Sequence, residues 1–257
     1  METLIAETAK LFCISALRYF FMAGAFFILF YLLLPEKMGR LKIQQKQASK
    51  KDFMREVWHS IQSNLIFAII AVIILFTPLR SYTRIYDEIG SFPVWYLGFS
   101  VLVCLIIHDT YFYWMHRLLH HKRLFKLTHV LHHQSTNPSP WASYSFHLLE
   151  AITEGAILLV LVFIFPVHPI SLMLFTISSF LINVYGHLGY EIMPEWFRRT
   201  WMFEVLNTSV HHNLHHSKFK GNYGLYFRIW DRMMGTENPD YVKEYDRLQQ
   251  QRFGTKC

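Results

Sequence analysis

Long apolar stretches constrain the fold of this chain more than any other feature of its sequence. Five of them stand out, at about 11–34, 62–79, 94–115, 151–166 and 169–186. A bilayer offers the backbone no hydrogen-bond partners, so these stretches must be helical, and about 20 residues are needed to cross it. The first is long enough, and the last two lie near the lower limit. We therefore predict an all-α integral membrane protein with about four to five transmembrane helices.

A short turn separates the last two stretches. It reads Pro166-Val-His-Pro169, with a proline at each end. Proline lacks the backbone N–H and clashes with the preceding helical turn, so it ends a helix. The sequence therefore predicts a hairpin that leaves one side of the membrane and returns to it.

The distribution of Lys and Arg predicts which loops are cytoplasmic. Loop 35–60 carries seven such residues and loop 80–93 only two. By the positive-inside tendency, the first loop is cytoplasmic and the second is not. The segment after the third stretch and residues 187–257 are then cytoplasmic as well. The net charge is +7, and the basic residues lie between the apolar stretches. This position is typical of the loops at the membrane surface and argues against a nucleic-acid partner.

This topology divides the chain into two parts. Residues 1–90 hold the N-terminal membrane helices and a basic loop, and residues 91–257 hold the other membrane helices and a cytoplasmic helical cap. Twelve of the fifteen histidines fall on the predicted cytoplasmic face. They are His116, His120, His121, His129, His132, His133, His147, His187, His211, His212, His215 and His216. Their common location indicates a shared site.

The spacing of these histidines is helical. His116 and His120 are four residues apart, and "HVLHH" and "HNLHH" each place histidines at i, i+3 and i+4. His187 and Glu191 are also four residues apart. Such spacings bring side chains to one helix face, about 5–6 Å apart. We therefore expect each turn to offer two or three ligands to one point.

The number of donors indicates two metal ions. Imidazole binds Zn, Fe, Cu and Ni, and a tetrahedral zinc site needs four ligands. About ten nitrogen and oxygen donors are too many for one ion and suit two. A metal transporter is an alternative, but its ligands should line a path across the bilayer. Here the apolar stretches are nearly free of histidine and acidic residues, apart from His108 and Asp109.

Four segments carry a family resemblance. They are "HDTYFYWMHRLLHH" (108–121), "HVLHHQSTNPSPWASYSFHLLE" (129–150), "GHLGYEIMP" (186–194) and "HHNLHHSKFKGNYGLYFRIWDRMMGT" (211–236). In this order they resemble the fatty acid hydroxylase / sterol desaturase superfamily of membrane di-iron enzymes, and the sterol desaturase branch more than others. They cover about half of the chain, whereas residues 1–90 carry little of the resemblance.

The resemblance implies the metal ligands, and no catalytic residue beyond them. Some relatives space the first pair one residue wider, which would select His121, but we favour His120. Glu191 stands where some relatives carry histidine, so it is a ligand, a partner of a ligand, or the mark of an open position. We expect His108, Asp109 and His147 to hold the ligands in place or to face the substrate. The implied histidine ligands are His116, His120, His129, His132, His133, His187, His212, His215 and His216.

The resemblance also implies the reaction. Two Fe ions, replaced by Zn in some preparations, would activate O2 to hydroxylate or desaturate a C–H bond of a sterol-like or fatty-acyl membrane lipid. The chain lacks a dinucleotide fingerprint and an iron–sulfur cysteine pattern, so electrons must come from a separate electron-transfer protein or reductase. A catalytically inactive lipid-binding member of the family is a further alternative.

Two residues near the ligands receive other roles. His211 precedes His212 by one residue, so on a helix it points about 100° away, and we expect it to tolerate alanine. Asp231 in "WDR" is expected to anchor the C-terminal segment through hydrogen bonds or an ion pair.

Overall fold

Helices joined by loops and turns make up the part of the chain described by the computed structural model, residues 1–46 and 48–254. Its α-helices are α1 (Glu2–Phe27), α2 (Pro35–Met38), α3 (Lys50–Phe76), α4 (Trp95–Leu119), α5 (Phe125–Thr128), α6 (Val130–His133), α7 (Leu148–Gly155), α8 (Ile157–Ile164), α9 (Pro169–Gly186), α10 (Trp201–Val205), α11 (Ser209–Lys218), α12 (Ile229–Met233) and α13 (Tyr241–Phe253). A π-helical segment, Ile28–Leu33, extends α1. Short 3-10 helices lie at Gly39–Leu41, Pro78–Tyr82, Ile89–Ser91, Pro140–Tyr144 and Glu195–Arg199. The predicted all-α class is confirmed.

Four helices in the described part are long and apolar enough to cross a membrane. They are α1 with its extension (32 residues), α3, α4 and α9. Side-chain capping hydrogen bonds mark where two of these helices, α3 and α9, begin. Ser49 and Asp52 form a capping box at the start of α3, and His168 caps α9 by accepting from Ile170 N. Both devices satisfy backbone donors that a helix start leaves unpaired.

The fourth apolar stretch differs from a single span. It forms α7 and α8, of eight residues each, with a break at Ala156. Hydrogen bonds from Ala156 N to Ile152 O and from Val160 N to Ala156 O continue across the break. Gly155 lies against α3 so closely that a Cβ would come 2.4 Å from Ile70 Cδ1. The first half of the predicted hairpin is thus the pair α7 and α8, and the second half is α9.

Backbone contacts identify the two ends of the bundle. Arg84 N donates to Val162 O (2.8 Å) and Val167 N donates to Arg84 O (3.3 Å), so the loop before α4 meets the hairpin turn. At the other end, Ile43 N donates to Gly189 O (3.0 Å), so the basic loop lies beside the end of α9. The structure therefore separates the loops into the same two sets as the charge pattern does.

The cap covers the second end. It contains α10 to α13 and a core of Phe197, Phe203, Val210, Tyr241 and Tyr245. Helix α13 lies near the end of the described part, and residues 255–257 lie outside it. This arrangement holds α11, which carries three of the predicted ligands, against the ends of the membrane helices.

Candidate metal centre

Nine histidines form two compact groups at the cap end of the bundle. Within each group, the nitrogens that face one another lie within 4.8 Å. The first group contains His116, His120, His129, His133 and His215; the second contains His132, His187, His212 and His216. All nine histidines implied by the resemblance are therefore brought together, and they are divided five to four.

Two of the ligand-bearing segments contribute histidines to both groups. In α11, His215 joins the group of five, whereas His212 and His216 join the group of four. The segment around α6 divides in the same way, with His132 separated from His129 and His133. Each turn therefore offers two ligands to one point, the histidines at i and i+4, as expected. The histidine at i+3 faces the other group, because neighbouring residues diverge by about 100° around a helix. The shared helices tie the two groups to one another.

The Nε2 atoms converge at spacings that fit a bound metal. In the group of five, His116–His129 is 2.9 Å, His133–His215 3.0 Å and His120–His215 3.2 Å. In the group of four, His187 Nε2 lies 3.1–3.3 Å from its three neighbours. Nitrogens about 2.1 Å from one ion would lie roughly 3.0 Å apart at right angles and about 3.4 Å apart in a tetrahedron. Both donor sets therefore fit a metal ion.

Hydrogen bonds at Nδ1 hold several rings in this orientation. Carbonyl oxygens accept from His116 (Tyr223 O, 2.9 Å), His187 (Asn183 O, 2.9 Å) and His215 (Gly221 O, 2.7 Å). Glu150 Oε1 lies 2.6 Å from His129 Nδ1. Such contacts fix the tautomer, leaving Nε2 free to bind metal. Burial also lowers the pKa of His187 and His215 to about 4, so these imidazoles are neutral at pH 7 and carry a free lone pair.

Glu150 provides a direct test of this supporting layer. We expect Glu150→Gln to weaken metal binding in the group of five by about tenfold to a hundredfold, because the carboxylate that orients His129 is lost. Competition with a chelator, followed by metal analysis, measures this change. Glu154→Gln, one helical turn further along α7, is the matched control and should leave metal affinity unchanged. Equal affinities for Glu150→Gln and the wild type would contradict the role.

The positions of the side chains distinguish the alternatives left open for His120 or His121 and for Glu191. His120 belongs to the group of five, whereas the neighbouring His121 is exposed. Glu191 lies outside both groups, although it is fully buried. Its oxygens accept from Tyr185 Oη (2.7 Å), Met193 N (3.0 Å) and Val210 N (3.3 Å). Glu191 therefore connects the end of α9 to the start of α11 instead of facing the histidine nitrogens.

The three residues expected around the site lie in different places. His108 lines an internal cavity, with Nδ1 2.8 Å from Tyr226 Oη. Asp109 accepts from Tyr226 N (2.7 Å) and Phe227 N (3.2 Å), which ties α4 to the C-terminal segment. His147 caps α7 by accepting from Leu149 N. Only His108 faces a space that a substrate could occupy.

His211, on α11, lies next to Asp231, with His211 Nε2 4.0 Å from Asp231 Oδ2. His211 belongs to neither group, in agreement with its predicted direction, but it is fully buried with its ring 5.0 Å from that of Tyr241. The prediction that His211 tolerates alanine was based only on the direction of its side chain. Because the side chain is also fully buried, His211 contributes to packing. Asp231 accepts from Tyr223 N, Gly224 N and Thr236 Oγ1 at 2.7–2.9 Å, so it anchors the C-terminal segment as expected.

An apolar cavity of about 300 Å³ lies inside the membrane bundle and ends at Phe112 and Phe146, next to the metal centre. Helices α1, α3, α4, α7, α8 and α9 line it. At its cap end, Phe112 packs on His116 of one group (ring centroids 4.9 Å) and Phe146 on His132 of the other (5.1 Å). Pockets that are apolar with few polar groups are typical of small-molecule sites.

Several polar residues of the site escaped the sequence analysis. Arg18 and Glu154 line the cavity although they lie within the first and fourth apolar stretches, and a charge inside such a stretch is itself a signal. Glu56 is fully buried and accepts from Ser135 Oγ (2.7 Å) and Ser139 Oγ (2.5 Å). It holds the loop that follows α6, a contact between distant segments that sequence spacing does not indicate.

Comparison with known proteins gives consistent similarities. The sequence model of the fatty acid hydroxylase family matches residues 101–236. A lathosterol oxidase of Rattus norvegicus is 32% identical over 244 residues, covering 91% of this chain and 77% of the relative. A Delta(7)-sterol 5(6)-desaturase of Gibberella zeae is 33% identical over 172 residues, 66% of this chain and 47% of the relative. A methylsterol monooxygenase of Gallus gallus is 28% identical over 218 residues, 84% of this chain and 73% of the relative. No solved structure matches.

Proposed function

The chain belongs to the fatty acid hydroxylase family, and on that premise we propose that it is a membrane oxidoreductase that oxidises a C–H bond of a sterol-like lipid. The observation that carries the proposal is that Phe112 and Phe146, which line the cavity, pack directly on His116 of one group and His132 of the other. The relatives named as a sterol oxidase, a sterol desaturase and a methylsterol monooxygenase support the substrate class. Hydroxylation and desaturation begin with the same hydrogen removal.

We propose nine histidines as the ligands of two iron ions, His116, His120, His129, His132, His133, His187, His212, His215 and His216. Iron bound there would supply the reductive activation of O2 that an unactivated C–H bond requires. The protein orients the imidazoles through their Nδ1 contacts and surrounds them with aromatic rings. Phe125 and Phe219 cover the group of five on the outside, with ring centroids 5.2 Å from His120 and 5.0 Å from His133. They limit the access of water.

Oxygen consumption tests the proposal. Iron-loaded protein in lipid nanodiscs, supplied with reductant, should consume O2 when sterol is present and yield a hydroxylated or desaturated product by mass spectrometry. Zinc-loaded protein is the control, because zinc fills a histidine site without redox chemistry. No O2 consumption with any membrane lipid extract, from protein that holds two iron ions, would exclude the reaction. Absence of metal from native protein would instead favour an inactive lipid-binding member.

A metal transporter is less well supported by this arrangement. The nine histidines lie at one end of the bundle, and the opposite end of the cavity is lined by apolar side chains such as Ile74, Val162 and Leu172. A metal path would require ligands along the whole crossing. Metal flux into vesicles that His132→Ala abolishes would restore that alternative.

We propose that the cap lies on the cytoplasmic side of the membrane. The seven basic residues of loop 35–60 support this orientation, since the loop lies beside the end of α9. A cytoplasmic cap would be accessible to a separate electron-transfer protein. Exposed cations surround Phe219 and Phe125 on the outer face of the group of five, and we propose this basic surface as the docking site. Its members are Lys122, Arg123, Lys126, Lys218 and Lys220.

Charge reversal tests the docking site. We expect Lys218→Glu with Lys220→Glu to reduce kcat/KM for an acidic [2Fe–2S] ferredoxin by about tenfold at low salt, with a smaller difference at high salt, because screening weakens exposed charges. Turnover supported by dithionite should not change. Lys50→Glu with Lys51→Glu, in the other basic loop, is the matched control. Equal losses with ferredoxin and dithionite would show damage to the metal centre instead.

A further inference from the structure

Arg18 is a cation inside a membrane span. It lies in the middle of α1, its Nη1 donates to Thr176 Oγ1 on α9 (2.7 Å), and its buried Nε has no hydrogen-bond partner among the described residues. No ion pair joins it to a carboxylate within residues 1–46 and 48–254. An arginine at the centre of a membrane helix is costly to insert and commonly marks a functional position.

Arg18 and Thr176 lie where the cavity meets the lipid-facing surface. Ile14 is one turn from Arg18 and Met173 one turn from Thr176, and all four residues line the cavity. Ile14 is 55% exposed and Met173 53% exposed, so the cavity wall continues onto the outer surface between α1 and α9. The cation therefore stands at a lateral opening of an apolar cavity.

We propose that Arg18, positioned by Thr176, binds a hydrogen-bond-accepting oxygen of an amphipathic lipid whose apolar body fills the cavity. The oxygen belongs to a hydroxyl or a carboxylate, and the inference rests on the proposed function. Thr176 already donates to Met173 O (2.9 Å) while accepting from Arg18. The guanidinium therefore keeps N–H groups for a ligand, in the fork geometry that suits an oxygen acceptor.

The position of Arg18 also restricts which carbon can be oxidised. Thr176 and His187 are eleven residues apart along α9, which corresponds to about 16 Å at the rise of an α-helix. The bound oxygen and the carbon beside the histidines therefore lie at opposite ends of the lipid.

Matched pairs of lipids test the inference in purified, metal-loaded protein. Wild-type protein should bind cholestanol more tightly than cholestane, or stearate more tightly than octadecane, by roughly 10- to 100-fold, the range for a hydrogen bond to a charged group. Preference within the first pair assigns a hydroxyl, and within the second a carboxylate. Arg18→Met should reduce the preference to less than about threefold, and Thr176→Val should weaken it partly.

Controls separate binding from folding and from the reaction. Lys10→Met removes a cation from the exposed part of α1 and should keep the preference, and every variant must retain its metal content and melting temperature. Equal binding within both pairs by the wild type, or a preference that persists in Arg18→Met, overturns the inference. If the wild type shows no preference yet oxidises lipid, only the Arg18 site fails. If Arg18→Met loses the preference but no lipid is oxidised, only the proposed reaction fails.

Discussion

Replacing His215 with alanine is expected to reduce the metal content from about two ions per chain to about one and to lower activity to roughly a hundredth or less. His215 Nε2 lies 3.0 Å from His133 Nε2 and 3.2 Å from His120 Nε2, so the variant leaves a gap at the centre of the group of five. His212→Ala should remove the other ion, because its Nε2 lies 3.1 Å from those of His187 and His216. Metal analysis after dialysis against a chelator, together with turnover, measures both effects.

His121→Ala is the matched control for this prediction. His121 is adjacent to His120 in sequence but exposed, so its loss should change neither metal content nor activity. The nine-ligand assignment fails if His215→Ala retains two ions and full turnover, or if His121→Ala loses an ion.

Replacing Asp231 with alanine is expected to destabilise the cap by about 3–5 kcal/mol. The carboxylate is fully buried, and its removal leaves the N–H groups of Tyr223 and Gly224 without partners, each costing about 1–3 kcal/mol before the structure relaxes. The same donors belong to the segment whose Gly221 O and Tyr223 O accept from His215 and His116. Metal affinity in the group of five should therefore fall more than in the group of four.

Thermal unfolding in detergent, with and without metal, measures the change at Asp231. Asp231→Asn retains an acceptor and should lose less stability than Asp231→Ala. Asp246→Ala is a control at a carboxylate that is 40% exposed and paired with Arg198, where about 0–1 kcal/mol is expected. A melting temperature for Asp231→Ala within one degree or so of the wild type would contradict the anchoring role.

The sequence predicted the helical class, the two ends of the bundle and the set of clustered histidines. Helical spacing shows which histidines share a helix, and family motifs show which helices matter. Neither shows how the helices are rotated relative to one another, so the division that separates His132 from His133 became visible only in three dimensions. The contact between His129 and Glu150 joins residues 21 positions apart, which no single helical period indicates.

The remaining differences have local physical causes. Glu191 has helical spacing from His187, but α9 ends at Gly186 and the chain turns at Gly189, where φ is +75°. The side chain then reaches the start of α11 instead of the metal centre. The fourth apolar stretch is hydrophobic enough for a span, yet its close approach to α3 at Gly155 accompanies a break into two short helices. Hydropathy measures composition and is insensitive to such contacts.

The hydrogen-bonded contact between the loop before α4 and the hairpin turn, at the end of the bundle opposite the cap, has a kinetic consequence. Arg84, Val162 and Val167 close that end with backbone hydrogen bonds, and Ile85 packs against the buried core formed by Ile74, Val162 and Val167. With the aromatic rings of Phe125 and Phe219 over the other end, we expect the lipid to reach the cavity by lateral diffusion within the bilayer. Turnover would then follow the mole fraction of substrate in the membrane, and diluting it with inert phospholipid would slow the enzyme even at constant bulk concentration.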